Sequence, residues 1–280
     1  NIIDCKIYLP FDFPWVVRRT LKAVKPKKLI FAAYDVWPNL IWTAKKMNIP
    51  TVLFAAKFKK NSRKLFPVVK SFYRNVYNNF YSIYTITKND DEKLRLILDR
   101  SNISILRVLG NPRYDQVNKY SDQYSIKHTK DVLNRRKSII LGSMHSKDRE
   151  NIIDGLMKLL NENNDLCIFW VPHEPRPKNI QFVFDYFTEN GYSVNLYSKQ
   201  KTHDKDYPRV IIVDIVGVLS QIYWNGIIAY IGGGFSSGIH NVMEPAIARI
   251  PVIFGPRYDN FHEAIELVNL GGGWSITNSE

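Results

Sequence analysis

Short apolar runs recur along this chain with helix-spaced segments between them, and that alternation limits the fold more than any other feature. Residues 29–33 (LIFAA) and 51–56 (TVLFAA) read as buried strands, and between them Leu40, Ile41, Ala44 and Met47 fall at helical spacing. Further strands are expected at 84–87, 103–109, 138–141, 166–171, 192–197, 210–213, 227–231 and 250–254, with helices over 66–80, 90–99, 148–161, 179–189 and 217–224. Strands that alternate with helices form parallel sheets covered on both faces, so the expected class is α/β. The polar stretch 118–137 interrupts the alternation, which divides the chain into residues 1–120, a linker over 121–137, and residues 138–280. Two such halves place a ligand cleft between the carboxyl ends of their strands.

At 280 residues and 45% hydrophobic content, the chain has material for two ordinary cores. Its two cysteines, Cys5 and Cys167, are far apart and form no Cys-x-x-Cys spacing, so neither a disulfide framework nor a cysteine zinc site is indicated. No apolar run reaches the roughly 18 residues of a membrane span. The net charge of +13 is uneven: residues 1–137 carry 28 Lys+Arg against 10 Asp+Glu, whereas residues 138–280 carry 11 against 16. A basic first half suits phosphate-rich ligands or an anionic membrane surface. With aromatics such as Phe58, Phe66 and Tyr73 interleaved, it also suits single-stranded nucleic acid, but that reading leaves the acidic second half without a role.

The second half concentrates small and polar residues at the expected strand ends. Gly142-Ser143-Met144-His145, Pro172-His173-Glu174-Pro175, Asp214-Ile215-Val216-Gly217 and the loop Gly232 to Glu244 should converge on one rim. The last of these follows a buried strand with Gly232-Gly233-Gly234, then reaches Asn241 as a helix N-cap with Pro245 in the first turn, so its free N–H groups would favour an anion. Glu244 has two readings, a capping-box carboxylate reaching back to Asn241 or a ligand for ribose hydroxyls. His145, His173 and His240 match no compact zinc spacing, and the triple glycine matches neither G-x-G-x-x-G nor the P-loop, which disfavours a dehydrogenase or a kinase. In the first half, Asp35 is either a base or acceptor-hydroxyl ligand, or else Asp35 or Asn39 caps the next helix with Trp37 packed underneath. Lys57, Lys59, Lys60, Arg63 and Lys64 are candidates for binding phosphate.

Together, Tyr34-Asp35-Val36-Trp37-Pro38-Asn39, Gly110-Asn111-Pro112-Arg113-Tyr114-Asp115, the first three loops above, Gly232-Gly233, His240-Asn241-Val242-Met243-Glu244-Pro245 and Gly255-Pro256 resemble the Kdo transferases in order and spacing. These enzymes move 3-deoxy-D-manno-octulosonic acid (Kdo) from CMP-Kdo to lipid A precursors in Gram-negative bacteria. The resemblance implies a GT-B fold and an inverting, metal-independent transfer without a cofactor, at the cytoplasmic face of the inner membrane. It implies that Glu244 binds ribose, that Gly232, Gly233, His240 and Asn241 belong to the CMP-Kdo pocket, and that Ser143, His145, Pro172 and His173 form the nucleotide and sugar-carboxylate rim, beside Asp214 and Gly217. Asp35, Trp37, Asn39, Lys57 and Arg63 would face a phosphorylated lipid A precursor. The partners implied are thus a CMP-sugar, that lipid and an anionic membrane surface, with no nucleic acid. Other GT-B nucleotide-sugar transferases and UDP-sugar epimerases share the same loop types.

The sequence departs from the family pattern in three ways. Asp35 stands where a Glu is frequent, Val171-Pro172-His173-Glu174 lacks the family's Arg, and the Gly-Glu base motif after a membrane anchor does not occur within these residues. The resemblance therefore implies a fragment lacking both termini, and inactive by itself.

Overall fold

The computed structural model describes residues 5–58, 62–125, 137–199 and 208–278. Lys59 and Lys60, and most of the expected linker, lie outside them. The chain forms two compact units, Asn1–Arg113 and Tyr114–Glu280.

The first unit runs α1 (Pro14–Val24), β1 (Leu29–Ala32), α2 (Pro38–Lys46), β2 (Thr51–Ala56), α3 (Pro67–Tyr77), β3 (Ser82–Thr85), α4 (Lys88–Ile97) and β4 (Leu106–Val108). Its sheet is parallel throughout, in the order β1-β2-β3-β4. Val17 and Leu21 of α1, Leu40, Ile41 and Ala44 of α2, Val76 and Tyr77 of α3 and Leu94 and Ile97 of α4 are buried in one core with Phe31, Leu53 and Ile83 of the strands. The third strand lies two residues before its expected position, because Thr87 leaves the sheet to cap α4, accepting a hydrogen bond from the Asp90 N–H at 3.1 Å.

The second unit holds α5 (Pro112–Ser125), β5 (Ser138–Met144), α6 (Ser146–Glu162), β6 (Cys167–Pro172), α7 (Pro177–Glu189), β7 (Val194–Leu196), β8 (Val210–Ile212), α8 (Leu219–Ile222), β9 (Ile228–Ile231), α9 (Met243–Ile247), β10 (Val252–Phe254), α10 (His262–Asn269) and β11 (Gly273–Ser275). All seven strands pair in parallel, in the order β11-β10-β9-β5-β6-β8-β7. A two-residue alternation divides the central strands between two cores: Cys167, Phe169 and Val171 enter one, Ile168 and Trp170 the other. This is why β6 reads as an unbroken apolar run, buried at every position.

Chain order reverses at β5, which has β6 on one side and β9 on the other. That is the switch point beyond which loops diverge and a ligand can enter. The sequence pattern gave no sign of α1, α10 or β11, and α5 extends to Ser125, into what was expected to be linker. Near the start of α5 the Tyr114 hydroxyl donates to Glu266 of α10.

Candidate functional site

At the switch point three histidines from three loops stack into one cluster. His145 ends β5 and stands at the N-cap of α6, His173 follows β6 with its N–H donated to the Met144 carbonyl at 3.0 Å, and the His240 N–H is donated to the Gly232 carbonyl at 3.2 Å. Ring centroids lie 4.4 Å apart for His145–His173 and His173–His240 and 5.1 Å apart for His145–His240. The Nε2 atoms of His145 and His240 are 2.8 Å apart, so one ring donates and the other accepts. Burial and then repulsion from His173 hold His145 below its ordinary pKa, against the pull of Asp148 and Glu174. Burial, then His173 and His145, push His240 down to about 4.

The cluster rests on Asp148, which is wholly buried. Its carboxylate accepts from the Tyr230 hydroxyl at 2.9 Å, the Gly233 N–H at 2.8 Å and the His145 N–H at 3.1 Å. One side chain thereby ties the end of β5, strand β9 and the glycine loop together, while burial and then the neighbouring carboxylate raise the Tyr230 pKa. Gly233 takes φ +94°, a conformation that turns its N–H to Asp148 and that L side chains disfavour. The approach is equally close under β5, where a Cβ on Gly142 would stand 2.2 Å from the hydroxyl of the fully buried Tyr223. Ser143 itself has φ 56°, at the bulge where β5 slips its register against β6 between Leu141 and Met144.

The glycine loop was expected to offer free N–H groups to an anion, but the structure turns many of them inward. Gly232 donates to Gly142, Gly233 to Asp148, Ser236 and Gly238 to the Gly233 carbonyl, and Met243 to the Asn241 side chain. Helix α9 has only five residues, with Val242 and not Asn241 at its N-cap. Asn241 instead makes an Asx turn, and its side-chain amide donates to Glu244 at 2.9 Å. Glu244 is therefore the second helical residue, not the third that a capping box requires. Cationic character comes from side chains instead. A cleft of about 570 Å³ opens beside the histidines, lined in part by His145, Arg149, His173, Lys178 and Asn179, with Arg149 lying 4.2 Å over the Phe182 ring.

The fourth loop is engaged elsewhere. Asp214 follows β8, and its carboxylate accepts from the Ser198 N–H at 2.9 Å and from the Ser198 hydroxyl, while Gly217 lies exposed in the turn toward α8. Among the described residues the nitrogens of the three histidines lie within 4.8 Å of one another, close enough to hold a metal ion. Two nitrogens on one tetrahedral zinc, each at about 2.0–2.1 Å from it, would stand roughly 3.3 Å apart. The 2.8 Å spacing of His145 and His240 is that of a hydrogen bond.

In the first unit, neither Asp35 nor Asn39 caps α2. Asp12 does so, accepting from the Asn39 N–H at 3.0 Å and the Leu40 N–H at 2.9 Å, and the Asn39 amide donates to the Asp12 carbonyl. Asp35 is exposed, and so is Trp37, which does not pack underneath. Lys57 reaches the same loop, its Nζ 5.3 Å from the Tyr34 ring centroid. Arg63 is exposed, whereas Lys64 turns into a cage of Phe58, Tyr73 and Tyr77 and donates to the Tyr77 hydroxyl at 2.9 Å. Burial lowers the Lys64 pKa, and this lysine is a packing residue in place of the phosphate ligand expected.

Sequence reading missed Asp12, Asp148, Arg149 and Lys178. The signal for Asp148 was its place three residues after His145, the spacing of a cap and its third helical residue.

Residues 2–116 match the family model of the 3-deoxy-D-manno-octulosonic-acid transferases (kdotransferases). A 3-deoxy-D-manno-octulosonic acid transferase of Chlamydophila psittaci is 28% identical over 95% of this chain and 60% of its own length. A probable mitochondrial one of Arabidopsis thaliana is 27% identical over 96% of this chain and 61% of its own. The chain thus spans about 60% of the length of these relatives. Among solved structures, the UDP-GlcNAc 2-epimerase of Methanocaldococcus jannaschii superposes with a TM-score of 0.56 at 18% identity, covering 94% of this chain and 70% of that one, a likeness of fold. The fold is of the GT-B type, with two Rossmann-like units, and by sequence the chain is similar to the Kdo transferases.

Proposed function

We propose that this chain forms the donor- and acceptor-binding body of a glycosyltransferase that moves Kdo from CMP-Kdo to a phosphorylated lipid A precursor, inverting and without metal. The observation that carries the reading is the meeting of Ser143, His145, His173, Gly232, Gly233 and His240 at the switch point of the second sheet, in a chain similar to the Kdo transferases. In this reading Glu244, oriented by Asn241, accepts the ribose hydroxyls. The histidines, with Arg149 and Lys178, face the phosphate and the sugar carboxylate, supplying the positive charge that Val171-Pro172-His173-Glu174 lacks. Pro172 closes the rim. Asp35, Trp37, Asn39, Lys57 and Arg63 receive the acceptor on the first unit.

An anionic membrane surface, the cytoplasmic face of a bacterial inner membrane, suits the first unit. No helix among the described residues is long and apolar enough to cross a membrane. Tyr8, Phe11 and Trp15 are 101%, 82% and 70% exposed, Phe13 stacks on Trp15 at 5.2 Å, and Arg18, Arg19 and Lys22 are exposed on α1. Aromatics beside cations are the composition of an interfacial anchor.

Calorimetric titration tests the donor: CMP should bind and UDP should not, and a preference for UDP would turn the reading toward the epimerase class. Glu244→Gln should weaken CMP binding by about 1–3 kcal/mol with little change in melting temperature, as for the loss of one polar contact to ligand. Salt-sensitive RNA binding that persists in Glu244→Gln, without affinity for any nucleotide, would favour a nucleic-acid-binding protein.

A further inference from the structure

We propose that His145, His173 and His240 form a one-proton anion receptor, in which the cluster takes up a single proton as an oxyanion of the ligand, phosphate or sugar carboxylate, enters the cleft beside it. The inference rests on the donor reading above and adds to it a chemical state. When neutral, the His145–His240 pair shares one Nε2–H between two nitrogens 2.8 Å apart. The ring that donates then carries an unprotonated Nδ1, which offers an anion no N–H. A proton from solvent on that Nδ1 converts it to an N–H donor and makes the bond between the rings charge-assisted, which strengthens it. A second proton would set two Nε2–H groups against each other, and His173, stacked 4.4 Å from both rings, adds to that repulsion. One charge on the His145–His240 pair is therefore the favoured loaded state.

The surroundings poise the cluster for this step. Arg149 of α6 and Lys178 of α7 line the same cleft, and Asp148 of α6 and Glu174 after β6 favour the charged imidazole. An entering oxyanion screens the two cations and adds the missing opposite charge. The result is a His145–His240 pair that is neutral when empty near pH 7 and singly protonated when filled.

Histidine Cε1–H NMR read against pH, with and without CMP, tests the idea, using single His→Gln variants that keep their melting temperature to assign the signals. Saturating CMP should raise the shared apparent pKa by at least about one unit. Between pH 8.5 and 7, above the ordinary phosphate pKa of about 6, affinity should rise up to about tenfold per pH unit lost. Free Kdo in place of CMP distinguishes the carboxylate from the phosphate as the oxyanion. If CMP binds and no histidine shifts its pKa with either ligand, the proposal is overturned and the donor reading stands. If CMP does not bind at any pH, the donor reading fails, and inorganic phosphate decides the proposal: a raised histidine pKa keeps it, and an unmoved one ends it.

Discussion

Single residues hold this site by contacts that leave little slack. Asp148 gathers three donors in a place closed to water, so Asp148→Ala strands a tyrosine hydroxyl and two backbone N–H groups. Chemical denaturation should show a loss of about 3–5 kcal/mol, the range for breaking a buried charged hydrogen-bond set, with a matching loss of nucleotide binding. Gly142→Ala should cost about 1–3 kcal/mol, because its new methyl meets the Tyr223 hydroxyl. Gly142→Ala combined with Tyr223→Phe should recover part of that loss. Strict additivity of the two would show that the hydroxyl is not the obstacle.

Elements are held by caps drawn from distant sequence. The first N–H groups of α2 are satisfied by Asp12, 27 residues before Asn39. Asp12→Ala should cost about 1–2 kcal/mol, measured as a lower melting temperature of the first unit, whereas Asp35→Ala should leave it unchanged. At the other end of α6, Arg209 donates to the carbonyls of Leu160, Asn163 and Leu166, the cation-to-helix-end pairing that the macrodipole favours. Both caps arrive through space. A scan of neighbouring residues could propose only Asp35 or Asn39 for α2, and it was right to look for a cap there and wrong about its source.

For the whole molecule, the depressed histidines couple folding to pH. His240 is held near 4 in the folded chain against an ordinary value of about 6.5, so the unfolded chain binds more protons between those values. Its stabilisation is complete above pH 6.5 and is lost as pH falls toward 4. Scanning calorimetry should show the transition of the second unit falling by a few degrees across that window, allowing for partial exposure of the ring, and His240→Gln should flatten the slope. An unchanged slope in the variant would assign the acid sensitivity to other groups.

The alternation of apolar runs by itself determined two parallel α/β sheets and the strand ends from which Ser143, His145, His173 and the glycine loop emerge. It did so because the periods of strand and helix are local properties of the chain. The ordered blocks from Tyr34 to Pro256 likewise pointed to the family whose model matches residues 2–116. Only the tertiary structure decided which of those residues meet. The order β9-β5-β6 brings His145 against His240 across 95 positions of sequence, and it leaves Asp214 bonded to Ser198 beyond β6. It also decided what the loops present: Asp148 and neighbouring carbonyls consume backbone N–H groups that the glycines advertised, while imidazoles, Arg149 and Lys178 line the cleft. Hydrogen-bond partners and burial are through-space quantities, set by strand order and packing, and no short-range pattern records them.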